Sequence, residues 1–348
     1  MSIEQEFNKA LEFFTYPIYS IFNTIFGQNQ GYQNKSLWPA PPVVLPVAPI
    51  YFIFSAQHSR ASYDNIMQSY NTLEVLNAEL QMLLDTNPST IRIDIGFDAF
   101  AQNNITIIST LDSLITSIKN AGKKLCIADA SEEYFRSNPQ TWSVFQTYWI
   151  NRVNVLSARY MPDYYVTIKE PGWYEPMISD PTSITAVSML SLQQQLYQTV
   201  KMNAPNCLVG MAMEGGGGIL QSDSVLQGIS IGQMTSLYCD FAGFDIYSYN
   251  DFTQMQQFIQ LYPTTKPIWF PEFWPQYTEI SSPIQDPLDI QSFYSLSVDI
   301  NASMISPFFT DDFVDYNMQN ITDSTTLISN YQTLRNPTFM SYQQVTRL

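Results

Sequence analysis

Two short segments about a hundred residues apart each put one glutamate at the end of an apolar run: YYVTIKEP (164–171) carries Glu170 and KPIWFPEFWP (266–275) carries Glu272. A tryptophan follows each, Trp173 and Trp274. A carboxyl at the C-terminal end of a strand, beside an aromatic plate, suits chemistry on sugars. One carboxyl donates a proton, the other attacks, and the ring covers the apolar face of the pyranose. Carboxyl pairs of this kind cleave glycosidic bonds. The chain between them must then build a scaffold that brings them together.

Composition narrows the classes. Of 348 residues, 45% are hydrophobic, enough for a substantial core, and only 13% are charged, against about 25% in an ordinary soluble domain. The formal net charge is −16, which argues against nucleic acid as a partner because phosphate binding needs clustered Lys and Arg. No apolar run approaches the roughly 20 residues of a membrane span. A surface of uncharged polar groups loses little as carboxylates protonate, so the expected setting is extracellular or at a cell or particle surface, with acid tolerated. The three cysteines, Cys126, Cys207 and Cys239, lie in strand-like apolar runs and are expected to be buried thiols. With a single histidine, His58, and scattered cysteines there is no ligand spacing for a metal, and nothing calls for a cofactor.

The N-terminus reads separately from the rest. Phe7, Leu11, Phe14, Ile18, Ile21, Phe22, Ile25 and Phe26 fall near helical spacing, although Pro17 interrupts them. Such a helix could plug the bottom of a domain, anchor at a membrane surface, or dock on another protein or a second copy of this chain. Residues 27–49, with five prolines from Pro39 to Pro49, read as an extended connector. The expected parts are residues 1–46, helix and connector, and residues 47–348.

From residue 48 onward the pattern alternates. Strand-like runs occur at 48–56, 90–97, 124–130, 164–170, 207–214, 240–248, 266–273 and 303–311, with amphipathic stretches at 63–84, 106–122, 184–204 and 324–336. The strands are nearly continuous apolar sequences, as parallel strands covered on both faces must be. Eight such units over about 260 residues predict a (β/α)8 barrel. In a barrel, catalytic groups gather at the C-terminal ends of the strands. Those ends carry His58 and Arg60, Asp94 and Asp98, Asp129, Glu170, Glu214, Asp245 with Tyr247, Glu272, and Asp311 with Asp312.

With Glu170 on the fourth strand and Glu272 on the seventh, the chain resembles the clan A retaining glycoside hydrolases, the 4/7 barrels. Their acid/base glutamate usually stands in Asn-Glu-Pro, and here the Glu-Pro half is Glu170-Pro171. Lys169 stands where the family carries the Asn that hydrogen-bonds the sugar 2-hydroxyl. GFDIYS (243–248) resembles the family's sixth strand, and PEFWP its nucleophile strand. The resemblance covers about residues 48–340. It implies Glu272 as nucleophile and Glu170 as acid/base, Arg92 keeping Glu272 ionised, and Tyr247 bonded to it. Trp274 would lie beside the reactive sugar, and burial against Trp173 would raise the Glu170 pKa. His58, Asp129, Glu214 and Asp245 are expected to bind substrate or support the pair. Strand alternation predicts that Lys169, next to Glu170, points away from the cleft. A second reading is a non-catalytic glycan-binding surface or particle-coat protein on the same barrel, mounted by its N-terminal helix.

Overall fold

The structure, a computed structural model, describes residues 38–58, 72–96, 98–128, 135, 138–171, 174, 177–213, 238–261, 263–273, 287–307 and 325–326. Each of the eight apolar runs forms a strand: β1 Ile53–Gln57, β2 Thr90–Asp94, β3 Lys124–Ala128, β4 Tyr164–Lys169, β5 Leu208–Met213, β6 Phe241–Phe244, β7 Ile268–Phe273 and β8 Met304–Pro307. All neighbours pair in parallel and in chain order, and β8 returns to β1, closing a barrel. Among the described residues the α-helices are α1 Leu73–Leu84, α2 Asp98–Ala101, α3 Ile105–Asn120, α4 Trp142–Tyr160, α5 Ala186–Asn203, α6 Tyr249–Leu261 and α7 Pro287–Asp299. Local chemistry starts them where the sequence offers caps. The Thr72 side chain accepts from the Val75 N–H and Asn104 from Ile107, while Thr185 and Ser188 form a reciprocal capping box.

The apolar side chains form two layers. Inside the barrel, Cys126, Ala128, Tyr164, Val166, Ala212, Phe241, Trp269 and Met304 fill the space. The rings of Phe241 and Trp269 stack 3.7 Å apart, and Tyr164 meets Trp269 edge-on. Gly210 on β5 makes room for this stack, since a Cβ there would come within 2.4 Å of the Phe241 ring. Between barrel and helices lies the larger core, including Ile91, Ile93, Leu125, Ile127, Tyr165, Ile168, Phe244 and Phe270. All three cysteines are buried, and burial pushes the thiols of Cys126 and Cys239 up to about 12.

The connector is less loose than its prolines suggest. Trp38 packs into the outer core against Tyr249, Phe252 and Phe293. The Tyr294 hydroxyl donates to the Pro46 carbonyl at 2.9 Å. Between these two anchors Val43 and Val44 stay open to solvent. The expected helix at 7–26 lies outside the described residues, as does nearly all of 324–336.

β4 and β7, the strands that carry the two glutamates, are both irregular. On β4 the pairing with β5 shifts between Val166 and Ile168, and on β7 the pairing with β8 shifts between Phe270 and Phe273. An extra residue in one strand breaks the alternation of faces and re-aims the side chains beyond it. Val166 points into the barrel, Ile168 packs in the outer core, and Lys169 faces inward again.

Candidate active site

β2 supplies the foundation. Arg92 and Asp94 are two residues apart, so they share the inner face. The guanidinium grips the carboxylate with two bonds of 2.8 Å, from Nε to Oδ1 and from Nη2 to Oδ2. The same Nη2 donates to Glu272 Oε1 at 2.7 Å, and Nη1 donates to the Pro271 carbonyl. All three side chains are essentially removed from solvent. A buried Arg tolerates this only with several acceptors around it.

The β4 bulge delivers the second cation. Lys169 is 4% exposed, and its ammonium donates to Asp94 Oδ2 at 3.0 Å and to Glu272 Oε1 at 3.2 Å. The expectation that Lys169 turns away is therefore wrong. Strict alternation fails because the register shift at Thr167 precedes it. Side chains hold this irregular backbone in place. The Trp149 indole donates to the Thr167 carbonyl at 3.0 Å, and the Thr167 hydroxyl donates to Gln193 at 2.7 Å. The Lys169 N–H donates to the Tyr174 hydroxyl at 3.2 Å. Glu170 comes next with φ 47°, the left-handed region that non-glycine residues enter at a cost. Its N–H donates to the Ala212 carbonyl at 3.1 Å.

At the end of β6, Tyr247 connects the two glutamates. Its hydroxyl lies 3.2 Å from Glu170 Oε1 and within bonding reach of Glu272 Oε2. A phenol has one proton. Donated to ionised Glu272, it leaves the phenol oxygen free to accept from a protonated Glu170. One oxygen each from Glu170, Asp245 and Glu272 lie within 4.8 Å of one another. A retaining pair of carboxyls stands about 5–5.5 Å apart, so the spacing here is of that order. A cation's coordination shell is of similar size, but two positive charges already sit on Glu272 Oε1.

These contacts set the charges. Burial alone would raise the Glu272 carboxyl, but Lys169 first and then Arg92, with the Tyr247 bond, bring it down to about 2. Burial raises Asp245 well above the usual carboxylate range, and Glu272 and Glu170 push in the same direction against Arg92 and Lys169. Burial and the same carboxyls raise Tyr247, which stays a phenol.

Of the residues singled out in the sequence, Arg92, Glu170, Asp245, Tyr247 and Glu272 come together. His58 does not. It is fully buried and turned toward α1, with Nε2 2.8 Å from the Leu76 carbonyl and Nδ1 3.5 Å from Glu79. Its place just beyond β1 sets it against the covering helix, so its expected substrate contact is replaced by a structural one. Trp173, Trp274, Asp129 and Glu214 lie outside the described residues. Two participants are given no site role by the sequence reading: Asp94, named only among the groups at the strand ends, and Lys169. Asp94 could have been found from its spacing to Arg92, whereas Lys169 needed the bulge.

No family model matches the sequence, and no curated protein matches it. Solved structures do match the fold. A β-glucosidase from Thermotoga maritima in complex with deoxynojirimycin aligns over 76% of this chain and 89% of its own, with TM-score 0.51 at 8% identity. A β-glucosidase from Exiguobacterium marinum aligns over the same shares with TM-score 0.52 at 11% identity. The fold is thus a closed (β/α)8 barrel, similar to the barrels of these two enzymes.

Proposed function

We propose that the protein is a retaining glycoside hydrolase acting on an oligo- or polysaccharide, with Glu272 as nucleophile and Glu170 as acid/base. The observation that carries this reading is the Tyr247 hydroxyl in contact with both carboxyls at the C-terminal end of the barrel. Glu272 attacks the anomeric carbon. As that bond forms, the glycosidic C–O bond breaks and Glu170 gives its proton to the leaving oxygen. Water, deprotonated by Glu170, then displaces Glu272. Arg92, Lys169 and Tyr247 keep the attacking carboxylate ionised and fix its orientation. The β-glucosidase neighbours support the fold behind this reading, and a low-charge, acidic chain fits work outside the cell or at a surface in an acidic medium.

One observation favours a second reading, a glycan-binding protein without turnover. Lys169 places a second cation on Glu272 Oε1, and a carboxylate so stabilised is a weaker nucleophile.

A panel of aryl glycosides and common polysaccharides, tested at acidic and neutral pH, separates the two. The hydrolase reading expects turnover that Glu272→Ala abolishes for every substrate. Glu170→Ala should retain release of an activated aryl group, and azide should speed its turnover with retained configuration. Binding without turnover across the panel supports the glycan-binding reading. Equal loss in both variants with every leaving group, and no azide rescue, would contradict the assigned roles.

A further inference from the structure

Arg92, Lys169, Asp94 and Glu272 form a network of two cations and two carboxylates, all buried. Asp245 stands outside it. The Asp245 side chain is fully buried, and among the described residues neither of its carboxyl oxygens has a hydrogen-bond partner. Its backbone N–H donates to the Met213 carbonyl at 2.9 Å. One of its carboxyl oxygens lies within 4.8 Å of an oxygen of Glu170 and of one of Glu272.

A buried polar group without a partner calls for an explanation. An isolated ionised carboxylate there would cost far more than a neutral acid. The groups facing it are Glu170, Glu272, Tyr247, Arg92 and Lys169, and the two cations are already engaged with Asp94 and Glu272. A neutral carboxyl offers one donor and one acceptor, which is the complement of a hydroxyl group.

We propose that Asp245 is a substrate-contacting acid, protonated before the sugar binds, whose O–H donates to a hydroxyl of an uncharged sugar seated between Glu170 and Glu272. The inference rests on the carbohydrate reading of this site and names the sugar class, neutral rather than amino-substituted. The proton stays on Asp245 throughout, so this group is distinct from the acid/base. An ammonium-bearing sugar would instead draw the proton off Asp245 and pair with its carboxylate.

Infrared difference spectroscopy at neutral pH tests this directly. The wild type should show a protonated-carboxyl C=O band that is absent in Asp245→Asn and present in Glu170→Gln. Adding the panel's best aryl glycoside to Glu272→Gln should shift that band without removing it. In steady state, Asp245→Ala should lower kcat/KM about tenfold, as expected for loss of one hydrogen bond. Asp245→Asn, which keeps a neutral donor, should recover most of that loss. No band assignable to Asp245, or a band that disappears when the sugar binds, would overturn the proposal. If the wild type turns over no glycoside, the hydrolase reading fails separately. The band is then followed with the same glycosides as binders, and a band that none of them moves overturns the Asp245 assignment as well.

Discussion

Glu272 stays ionised against its own burial because Lys169 and Arg92 share one of its oxygens and Tyr247 bonds the other. In the proposed mechanism the attacking form is the carboxylate, so activity should fall as pH drops through the Glu272 pKa. The acid limb of kcat/KM is expected at about 2. Lys169→Met removes a charge and a donor, so the limb should move up by about 1–3 units, with partial return in Lys169→Arg. A pH profile of the three proteins checks this. Asp245 acts on stability with the opposite sign. Its folded pKa is raised, so the proton it keeps stabilises the native state at low pH, and that contribution fades as pH rises. Between about pH 4 and its folded value the loss runs to about 1.4 kcal/mol per unit. Asp245→Asn should therefore be more stable than wild type at neutral pH and no more stable near pH 4, as read from urea unfolding at each pH.

The strands as elements were legible because buried parallel strands must be continuously apolar. All eight runs form strands, most of them within a residue or two of their expected starts. Their faces were legible only where alternation is unbroken, as on β2, where Arg92 and Asp94 share a side. On β4 one extra residue hides Lys169 from any period-two reading. The groups that hold that residue come from far along the chain, Trp149 on α4 and Gln193 on α5. Trp149→Phe keeps the ring but strands the Thr167 carbonyl. It should cost about 1–3 kcal/mol in a denaturant melt and lower kcat more than KM, because Lys169 and Glu170 lose their aim. On β6, a Cβ at Gly243 would come 2.4 Å from the Met211 carbonyl oxygen and 3.0 Å from Pro271. Gly243→Ala should destabilise by about 1–3 kcal/mol, measured in the same way.

At the scale of the molecule, the barrel was readable from the rhythm of its units, but the limit of the packed unit was not. Proline-rich sequence signals extension, and extension does not exclude an aromatic anchor. Trp38, 6% exposed among Tyr249, Phe252 and Phe293, belongs to the barrel. Trp38→Ala should cost about 3–5 kcal/mol. A chain starting at residue 38 should be more stable than one starting at residue 47 by a comparable amount, as calorimetry would show. The barrel's C-terminal face is where the buried charges of Arg92, Asp94, Lys169 and Glu272 gather, with the neutral carboxyl of Asp245 beside them. Its interior below them is apolar. That asymmetry places polar groups where such barrels carry their sites, with Glu272 buried and Glu170 half-buried.

The central claim is that Glu272 forms a covalent bond to the sugar. Glu170→Ala should allow that bond to form from an activated dinitrophenyl glycoside and slow its hydrolysis. Acid quenching and then peptide mass spectrometry should find one glycosyl unit esterified to Glu272. Release of dinitrophenol with Glu272 unmodified, or an adduct on another residue, would contradict the account.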